Sequence, residues 1–181
     1  MRTGLISARG FSMIEVMVTI VVMAFGLLGL ASLVLRGLQA GADSQFRTIA
    51  VKQTYDMADR MRGNPVGAKS GNTLTKSPPG YAEILPSGSS STCSDLISKV
   101  KNPVPDIPIV VAASTVPACS GTGATFDSNC WQRANMQNLP KGAGAVCKDT
   151  TADSNWYAII VSWDDNRSGS ANKSFWITLE P

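Results

Sequence analysis

One residue near the N terminus has a side chain whose chemistry is unusual for its surroundings. Glu15 is the sole ionisable residue in the apolar run formed by residues 11–35. Carrying a charged side chain to the centre of a bilayer costs on the order of 2.5–3.5 kcal/mol on insertion scales. A carboxylate in this run therefore predicts a charged partner or a functional role.

A second candidate is the acid-rich loop that begins at Asp164. Oxygen-bearing side chains occupy its first, third and fifth positions and Gly169 its sixth, as in a calcium-binding loop. The twelfth position is Phe175, where such a loop needs a bidentate glutamate. Asp, Asn and Gly are also the residues that tight turns require, so we predict a hairpin turn and no metal site.

Catalysis and nucleic-acid binding have little support in the composition. The chain has no histidine, which removes the commonest general base, and it has no GxSxG or Walker motif. Its formal net charge is +3, and loss of Arg2 and Arg9 would lower this charge by two, to +1. No basic cluster with interleaved aromatic residues occurs. We predict a protein that is not an enzyme, uses no cofactor and binds no nucleic acid.

The element that must position Glu15 is a membrane-spanning helix. Residues 16–35 carry no charge, and a helix of that length spans roughly 30 Å, the thickness of the hydrocarbon core of a bilayer. Arg2 and Arg9 precede the run, so the positive-inside rule places all later residues outside the cytoplasm. The run is too long for an ordinary cleaved secretory signal, despite an A-x-A-like site at residues 40–42. A plain single-span anchor stays open as an alternative.

Around Glu15 the chain resembles a known processing signal. The heptapeptide GFSMIEV, at residues 10–16, is similar to the class III signal of type IV pilins and type II secretion pseudopilins. The resemblance implies that prepilin peptidase cleaves between Gly10 and Phe11 and methylates the new N terminus of Phe11. Residues 1–10 would then be a cytoplasmic leader, and residues 11–35 a transmembrane helix that later forms the filament core.

Two further segments narrow the resemblance to PilV-type minor pilins. They are residues 24–31 (AFGLLGLA) and residues 56–65 (DMADRMRGNP). The resemblance implies a subunit that inserts in the inner membrane with its C-terminal domain in the periplasm and later reaches the filament, its tip and the cell surface. It also implies a priming or tip complex that initiates type IV pilus assembly. The implied partners are other minor pilins, the major pilin, prepilin peptidase, the inner-membrane assembly platform, a tip adhesin and membrane lipid.

The resemblance also suggests a role for Glu15 in setting the register between subunits. Cleavage would create a free amine on Phe11. An α-amino group has a pKa of about 7.7–8.0, so this amine would be largely charged at neutral pH. We hypothesise that Glu15 of one subunit pairs with the Phe11 amine of a neighbour, because opposite charges attract more strongly at low dielectric. The runner-up functions are a type II secretion pseudopilin and, from another class, a membrane-anchored binding module.

The helix is predicted to continue beyond the membrane as an amphipathic segment, residues 36–62. An apolar stripe recurs at helical spacing and should pack on the following domain; its members are Leu38, Ala42, Phe46, Ile49, Met57 and Met61. Two pairs stand at i and i+4 on the polar side, Asp43 with Arg47 and Asp56 with Arg60. Gly63 and Pro65 provide the stop signal.

Residues 63–181 should form one globular domain. Residues 156–163 and 174–179 are rich in aromatic and β-branched side chains and predict an antiparallel hairpin. Residues 145–147 and 107–112 are weaker strand candidates, and residues 127–139 predict a short helix ended by Pro140. The predicted fold class is α+β, with a long N-terminal helix packed on a small antiparallel sheet, as the pilin resemblance also implies.

Four cysteines fall in the part that is assigned outside the cytoplasm: Cys93, Cys119, Cys130 and Cys147. An even number in an oxidising compartment predicts two disulfides, each worth about 2–4 kcal/mol. The lack of histidine and of CxxC spacing argues against zinc. Three pairings are possible, of which we favour the sequential one, Cys93 with Cys119 and Cys130 with Cys147.

Overall fold

A computed structural model of the chain describes residues 11–64, 80–102, 104–111, 115–151, 156–164 and 172–180. The elements follow in the order α1 (Met13–Gly63), β1 (Glu83–Ile84), α2 (Cys93–Lys101), α3 (Ala124–Asn138), β2 (Ala143–Lys148), β3 (Tyr157–Asp164) and β4 (Asn172–Leu179). The chain divides into two compact units, Met1–Ala42 and Asp43–Pro181. Each unit is described by itself.

The second unit is built on an antiparallel sheet with strand order β1-β2-β3-β4. In the register, Ile160 of β3 lies between Ala145 of β2 and Trp176 of β4. The predicted hairpin of β3 and β4 and the predicted strand β2 are confirmed. Residues 165–171, on which the predicted hairpin turn falls, lie outside the described residues.

Both faces of this sheet are covered, because side chains alternate between them along each strand. Tyr157, Ile159 and Val161 of β3 pack into one apolar cluster with buried residues of α1 and α3. Ala158 and Ile160 join a second cluster with α2. The α+β fold class is therefore confirmed, with the later part of the long helix packed on a small antiparallel sheet.

The predicted apolar stripe holds for its later members. Met57 and Met61 are fully or almost fully buried, and Phe46 and Ile49 pack against the same cluster. Leu38 is the exception, since 67% of it is exposed. The helix ends at Gly63, at the predicted stop signal, although Pro65 lies outside the described residues.

The two predicted i and i+4 ion pairs have different outcomes. Arg60 Nε donates to Asp56 Oδ2 at 2.8 Å, so this pair is confirmed. Arg47 forms no hydrogen bond or ion pair with any residue that the structure describes, so its predicted pair with Asp43 is not formed. An exposed i, i+4 pair contributes only about 0.3–0.5 kcal/mol, which a competing contact of Asp43 can offset.

Two segments differ from the predictions. Residues 107–111 form no strand, only an isolated bridge between Ser89 and Val111; Pro108 lacks the amide that a ladder needs. The predicted strand's last residue, Ala112, lies outside the described residues. Helix α2 was not predicted, yet Thr92 caps its start, with Thr92 Oγ1 accepting from the Asp95 amide at 3.3 Å and donating to Asp95 Oδ2 at 2.8 Å. The T-x-x-D pattern is the signal that could have located this helix.

Helix α3 (predicted as residues 127–139) is confirmed, and it lies unusually close to β2. A Cβ atom on Gly142 would overlap the backbone carbonyl of Asn135, and one on Gly144 would overlap the Trp131 ring. Because the two elements are close, the Gln132 side chain forms two hydrogen bonds with the Gly144 backbone. It donates to the Gly144 carbonyl at 2.5 Å and accepts from the Gly144 amide at 3.1 Å. Two glycines therefore let a helix rest directly on a strand.

Candidate functional site

The first unit places Glu15 in the first turn of α1. The backbone amides of Glu15 and Val16 both donate to the carbonyl of Ser12, at 3.0 and 3.4 Å. A carboxylate at a helix N-terminus is favourable because the helix dipole is positive there. Phe11 is 79% exposed and Glu15 is also exposed, so the two residues that the pairing hypothesis needs are both accessible to another molecule.

The rest of the described part of this unit exposes an apolar surface. Met13 is 86% exposed, Phe25 71% and Leu33 70%. None of the most apolar window of α1 is buried, and by length and composition the helix can cross a membrane. Apolar side chains exposed on every side of a helix are stable only among lipid tails or other helices.

Two glycines in this apolar stretch pack against no other described residue. A Cβ atom on Gly26 or Gly29 would meet nothing within 4 Å. Small residues on a membrane helix allow another helix to approach closely. The space beside these glycines is therefore available for contacts between chains.

A polar network in the second unit fixes the end of α1 to α3. Arg60 binds Asp127 at 3.3 Å as well as Asp56, and the Tyr81 hydroxyl donates a short hydrogen bond to Asp127. Burial, together with this hydrogen bond, raises the pKa of Tyr81 to about 12, so the hydroxyl stays a donor at neutral pH. Trp131 adds a second link between the two helices, since its Nε1 donates to the carbonyl of Gln53 at 2.7 Å. The sequence did not predict this network, because its members are far apart in the chain.

The cysteines pair differently from the sequential arrangement that we favoured. Cys93 at the start of α2 bonds Cys147 in β2, with Cα atoms 5.3 Å apart, and Cys119 bonds Cys130 in α3, with Cα atoms 4.5 Å apart. The sequential pairing is wrong because α2 packs against β2, which brings Cys93 next to Cys147. One disulfide thus links a helix to the sheet, and the other links a loop to the adjacent helix.

We expect the two disulfides to differ in their effect on stability. They close loops with sequence separations of 54 and 11 residues. Loop-closure entropy then makes loss of the longer one costlier by about 1.4 kcal/mol. A Cys93→Ala, Cys147→Ala double variant should melt below a Cys119→Ala, Cys130→Ala variant in the same buffer. Equal melting temperatures would contradict this ranking, and non-reducing peptide mapping of the wild type checks the pairing.

Of the acid-rich loop, the structure describes Asp164 at one end and the residues from Asn172 onward at the other. Lys141 Nζ lies 2.7 Å from Asp164 Oδ2, and the following positions, residues 165–171, lie outside the described residues. Elsewhere in the described part of the chain, no group of three His, Cys, Asp or Glu side chains is placed to hold a metal ion. The predicted leader, residues 1–10, with the cleavage residue Gly10, also lies outside the described residues.

Comparison with known proteins adds one finding about the start of the chain. Residues 6–31 match the prokaryotic N-terminal methylation motif. The match includes Gly10, Phe11 and Glu15, and it supports a precursor of the type IV pilin or pseudopilin kind that is cleaved and methylated. Proteins with this motif are structural rather than enzymatic, and the exposed apolar helix fits a membrane anchor. No curated protein and no solved structure matches the chain.

Proposed function

We propose that the chain is a minor pilin that takes part in initiating type IV pilus assembly. The observation that carries this proposal is the exposed Phe11 and Glu15 at the start of an exposed apolar helix, within the methylation-motif match. A subunit of this kind has to leave the bilayer and enter a bundle of like helices. Lipid tails and neighbouring helices can both cover the apolar side chains that the described part of α1 leaves exposed.

In this proposal, processing creates the group that Glu15 binds. Cleavage after Gly10 frees the amine of Phe11, and methylation leaves its positive charge in place. At a separation of 4 Å, two opposite charges attract by about 1 kcal/mol in water and by about 4 kcal/mol at an effective dielectric constant of 20. A neighbour that docks one turn out of register would leave both charges unpaired in an apolar bundle, so the pair selects one axial position.

The proposed organisation keeps the boundaries expected from the sequence. Residues 1–10 are the cytoplasmic leader, residues 11–35 the membrane and filament-core helix, residues 36–62 its amphipathic continuation and residues 63–181 the periplasmic or extracellular domain. We place the subunit first in the inner membrane and then at the filament tip, in a PilV-type role. Its proposed partners are other minor pilins, the major pilin, prepilin peptidase, the assembly platform and a tip adhesin.

Mass spectrometry of the mature N terminus tests the proposal most directly. We expect the chain isolated from its host to begin at a methylated Phe11, and we expect a Gly10→Ala variant to retain residues 1–10. The matched control is Gly4→Ala, which changes a leader glycine away from the cleavage bond. A fully active protein that retains its first ten residues would contradict the proposal and favour the membrane-anchored binding module.

The same motif also occurs in type II secretion pseudopilins, which are the alternative. A deletion scored for both surface pili and exported enzymes separates the two functions. Loss of pili with normal export supports the minor pilin. Loss of export with normal pili supports the pseudopilin.

A further inference from the structure

The last strand of the sheet in the second unit has one side that no other described strand covers. Strand β4 pairs with β3 over its whole length and stands at the end of the strand order. The strand at the opposite end is β1, which has only two residues, and one of them is the charged Glu83. Short and charged edges resist pairing with other chains, whereas a long edge is a template for such pairing. The two edges of this sheet therefore differ in what they can bind.

The hydrogen bonds of Ser174 show which backbone groups of β4 point away from β3. The Ser174 amide donates to Asp106 Oδ1 at 3.2 Å, on the side opposite β3. In an antiparallel strand, the amide and the carbonyl of every second residue point to the same side. The pairing of β4 with β3 has no bulge. Trp176 and Thr178 therefore direct their amides and carbonyls outward, as Ser174 does.

The outward backbone groups of Trp176 and Thr178, which we call the open edge, have no hydrogen-bond partner among the described residues. Thr178 is also exposed, and residues 174–179 contain no charge and no proline that would prevent pairing. Two amides and two carbonyls that alternate at a spacing of two residues match the backbone of an extended chain. The hydrogen-bonding pattern itself thus specifies an extended segment as the occupant.

The side chains of β4 leave apolar surface on both faces beside the open edge. Phe175 and Ile177 pack against one apolar cluster and Trp176 against the other, but all three are only partly buried. The neighbouring strand β3 differs, because its residues from Tyr157 to Val161 are all fully buried. A strand added beside β4 would cover the three side chains from both faces. Its own side chains should therefore be β-branched or aromatic.

An arginine without a partner lies beyond one end of the open edge. Arg47 is exposed, has no hydrogen bond or ion pair with any described residue, and lines the same cavity as Ser174. Antiparallel pairing is slightly more stable than parallel pairing, so we take the added strand to run from the level of Thr178 towards Ser174. The residue that follows its paired stretch then arrives at this cavity. A carboxylate there would gain Arg47 as a partner without breaking an existing ion pair of Arg47.

We propose that the open edge of β4 binds an extended segment of a partner protein by strand addition. The segment runs antiparallel to β4, is uncharged and β-branched or aromatic opposite Trp176 and Thr178, and continues with an acidic residue beside Arg47. Backbone hydrogen bonds supply the affinity, and the contact with Arg47 sets the direction. The inference goes beyond the assembly role of Glu15 and does not depend on it, because it uses residues of the second unit alone.

Peptide binding tests the hydrogen bonds of the open edge. The probe is the fluorescein-labelled peptide TVTVTVD with a C-terminal amide, titrated against the full chain in nonionic detergent and followed by fluorescence anisotropy. We expect saturable binding by the wild type, binding at least about tenfold weaker by Thr178→Pro, and unchanged binding by the matched control Thr178→Val. Proline removes an outward amide that the described chain does not use, so the fold should survive, as the melting temperature will show. Absence of binding by the wild type, or equal binding by the two variants, would overturn the proposal.

A change of the last residue of the probe tests the role of Arg47. The wild type should bind TVTVTVD about threefold more tightly than TVTVTVN, the preference expected for an exposed ion pair. Arg47→Gln should lose this preference. The matched control Arg133→Gln should keep it, because Arg133 is an exposed arginine of α3 that does not line the cavity. The same preference in both variants would overturn the assignment of the acidic residue to Arg47.

Amide hydrogen exchange locates the bound peptide without any variant. With TVTVTVD present, the Trp176 and Thr178 amides should exchange at least about tenfold more slowly, whereas the Ile177 and Leu179 amides, which face β3, should not change. Slower exchange only in other elements would contradict the proposed site. Protection of the Trp176 and Thr178 amides in the free protein that rises with its concentration would assign the open edge to a second copy of the chain, which would also overturn the proposal.

Discussion

A Glu15→Gln variant is expected to enter filaments at least about tenfold less often than the wild type. The substitution keeps the size of the side chain and removes its charge, so the amine of a neighbouring Phe11 would lose its partner in a bundle of apolar helices. An attraction of about 4 kcal/mol at an effective dielectric constant of 20 is enough for a loss of this size, since about 1.4 kcal/mol corresponds to a factor of ten. Immunoblotting of sheared filaments measures the incorporated fraction.

The control for this experiment is Thr19→Ala, one helical turn further along the same exposed surface. The Thr19 hydroxyl donates to the carbonyl of Val16 at 2.9 Å, so its removal leaves no group of another subunit unpaired. Mass spectrometry of both variants limits the comparison to chains that have been cleaved after Gly10. If Glu15→Gln chains with a mature N terminus assemble as well as Thr19→Ala chains, the pairing role is wrong.

A large loss of stability is expected when a methyl group is added at Gly142 in the second unit. Gly142→Ala should lower the free energy of unfolding by about 3 kcal/mol or more, because the added Cβ would overlap the backbone carbonyl of Asn135. A flexible side chain could rotate away, but a helix backbone moves only if α3 shifts on β2. For a protein of this size the expected fall in melting temperature is about 6–12 °C.

The control variant for Gly142→Ala is Gly63→Ala, which adds the same methyl group at another glycine. A Cβ at Gly63 meets nothing within 4 Å, and Gly63 is the last residue of α1. This variant should melt at or slightly above the wild-type temperature, because alanine lowers the entropy of the unfolded chain. Near-ultraviolet circular dichroism of the full chain in detergent follows both transitions, and equal melting of the two variants would exclude a steric role for Gly142.

The sequence predicted the elements whose signals are local. The aromatic and β-branched composition of β3, the apolar periodicity of α1 and the stop at Gly63 are each visible within a few neighbouring positions, and the structure bears them out. The contact of Arg60 with Asp127, 67 positions away, has no such signal. The disulfide pairing failed for the same reason, because it depends on the packing of α2 against β2 and α2 itself was not predicted.

In the candidate sites, too, the sequence predicted the residues with local signals and missed the features that depend on folding. Phe11 and Glu15 were identified from the sequence, because their spacing and their apolar surroundings are visible in a single short stretch. A cavity of about 350 Å³ in the second unit, lined in part by Arg47, could not be predicted, since its wall is assembled from parts of the chain that extend from Asp43 to Ser174. Arg47 was also assigned to an ion pair with Asp43, and only the folded chain shows that this pair is not formed.

The pairing of the cysteines also constrains how the protein matures. In the proposed export, residues 1–10 stay in the cytoplasm and the chain after the membrane span is translocated in sequence order, so Cys93 emerges before Cys119, Cys130 and finally Cys147. An oxidant that joins thiols as they appear would link Cys93 to Cys119 and leave Cys130 to pair with Cys147. The native bond across 54 residues therefore requires either delayed oxidation or an isomerase that reshuffles early errors. Where oxidation is not delayed, correct folding of the subunit would therefore depend on such an isomerase.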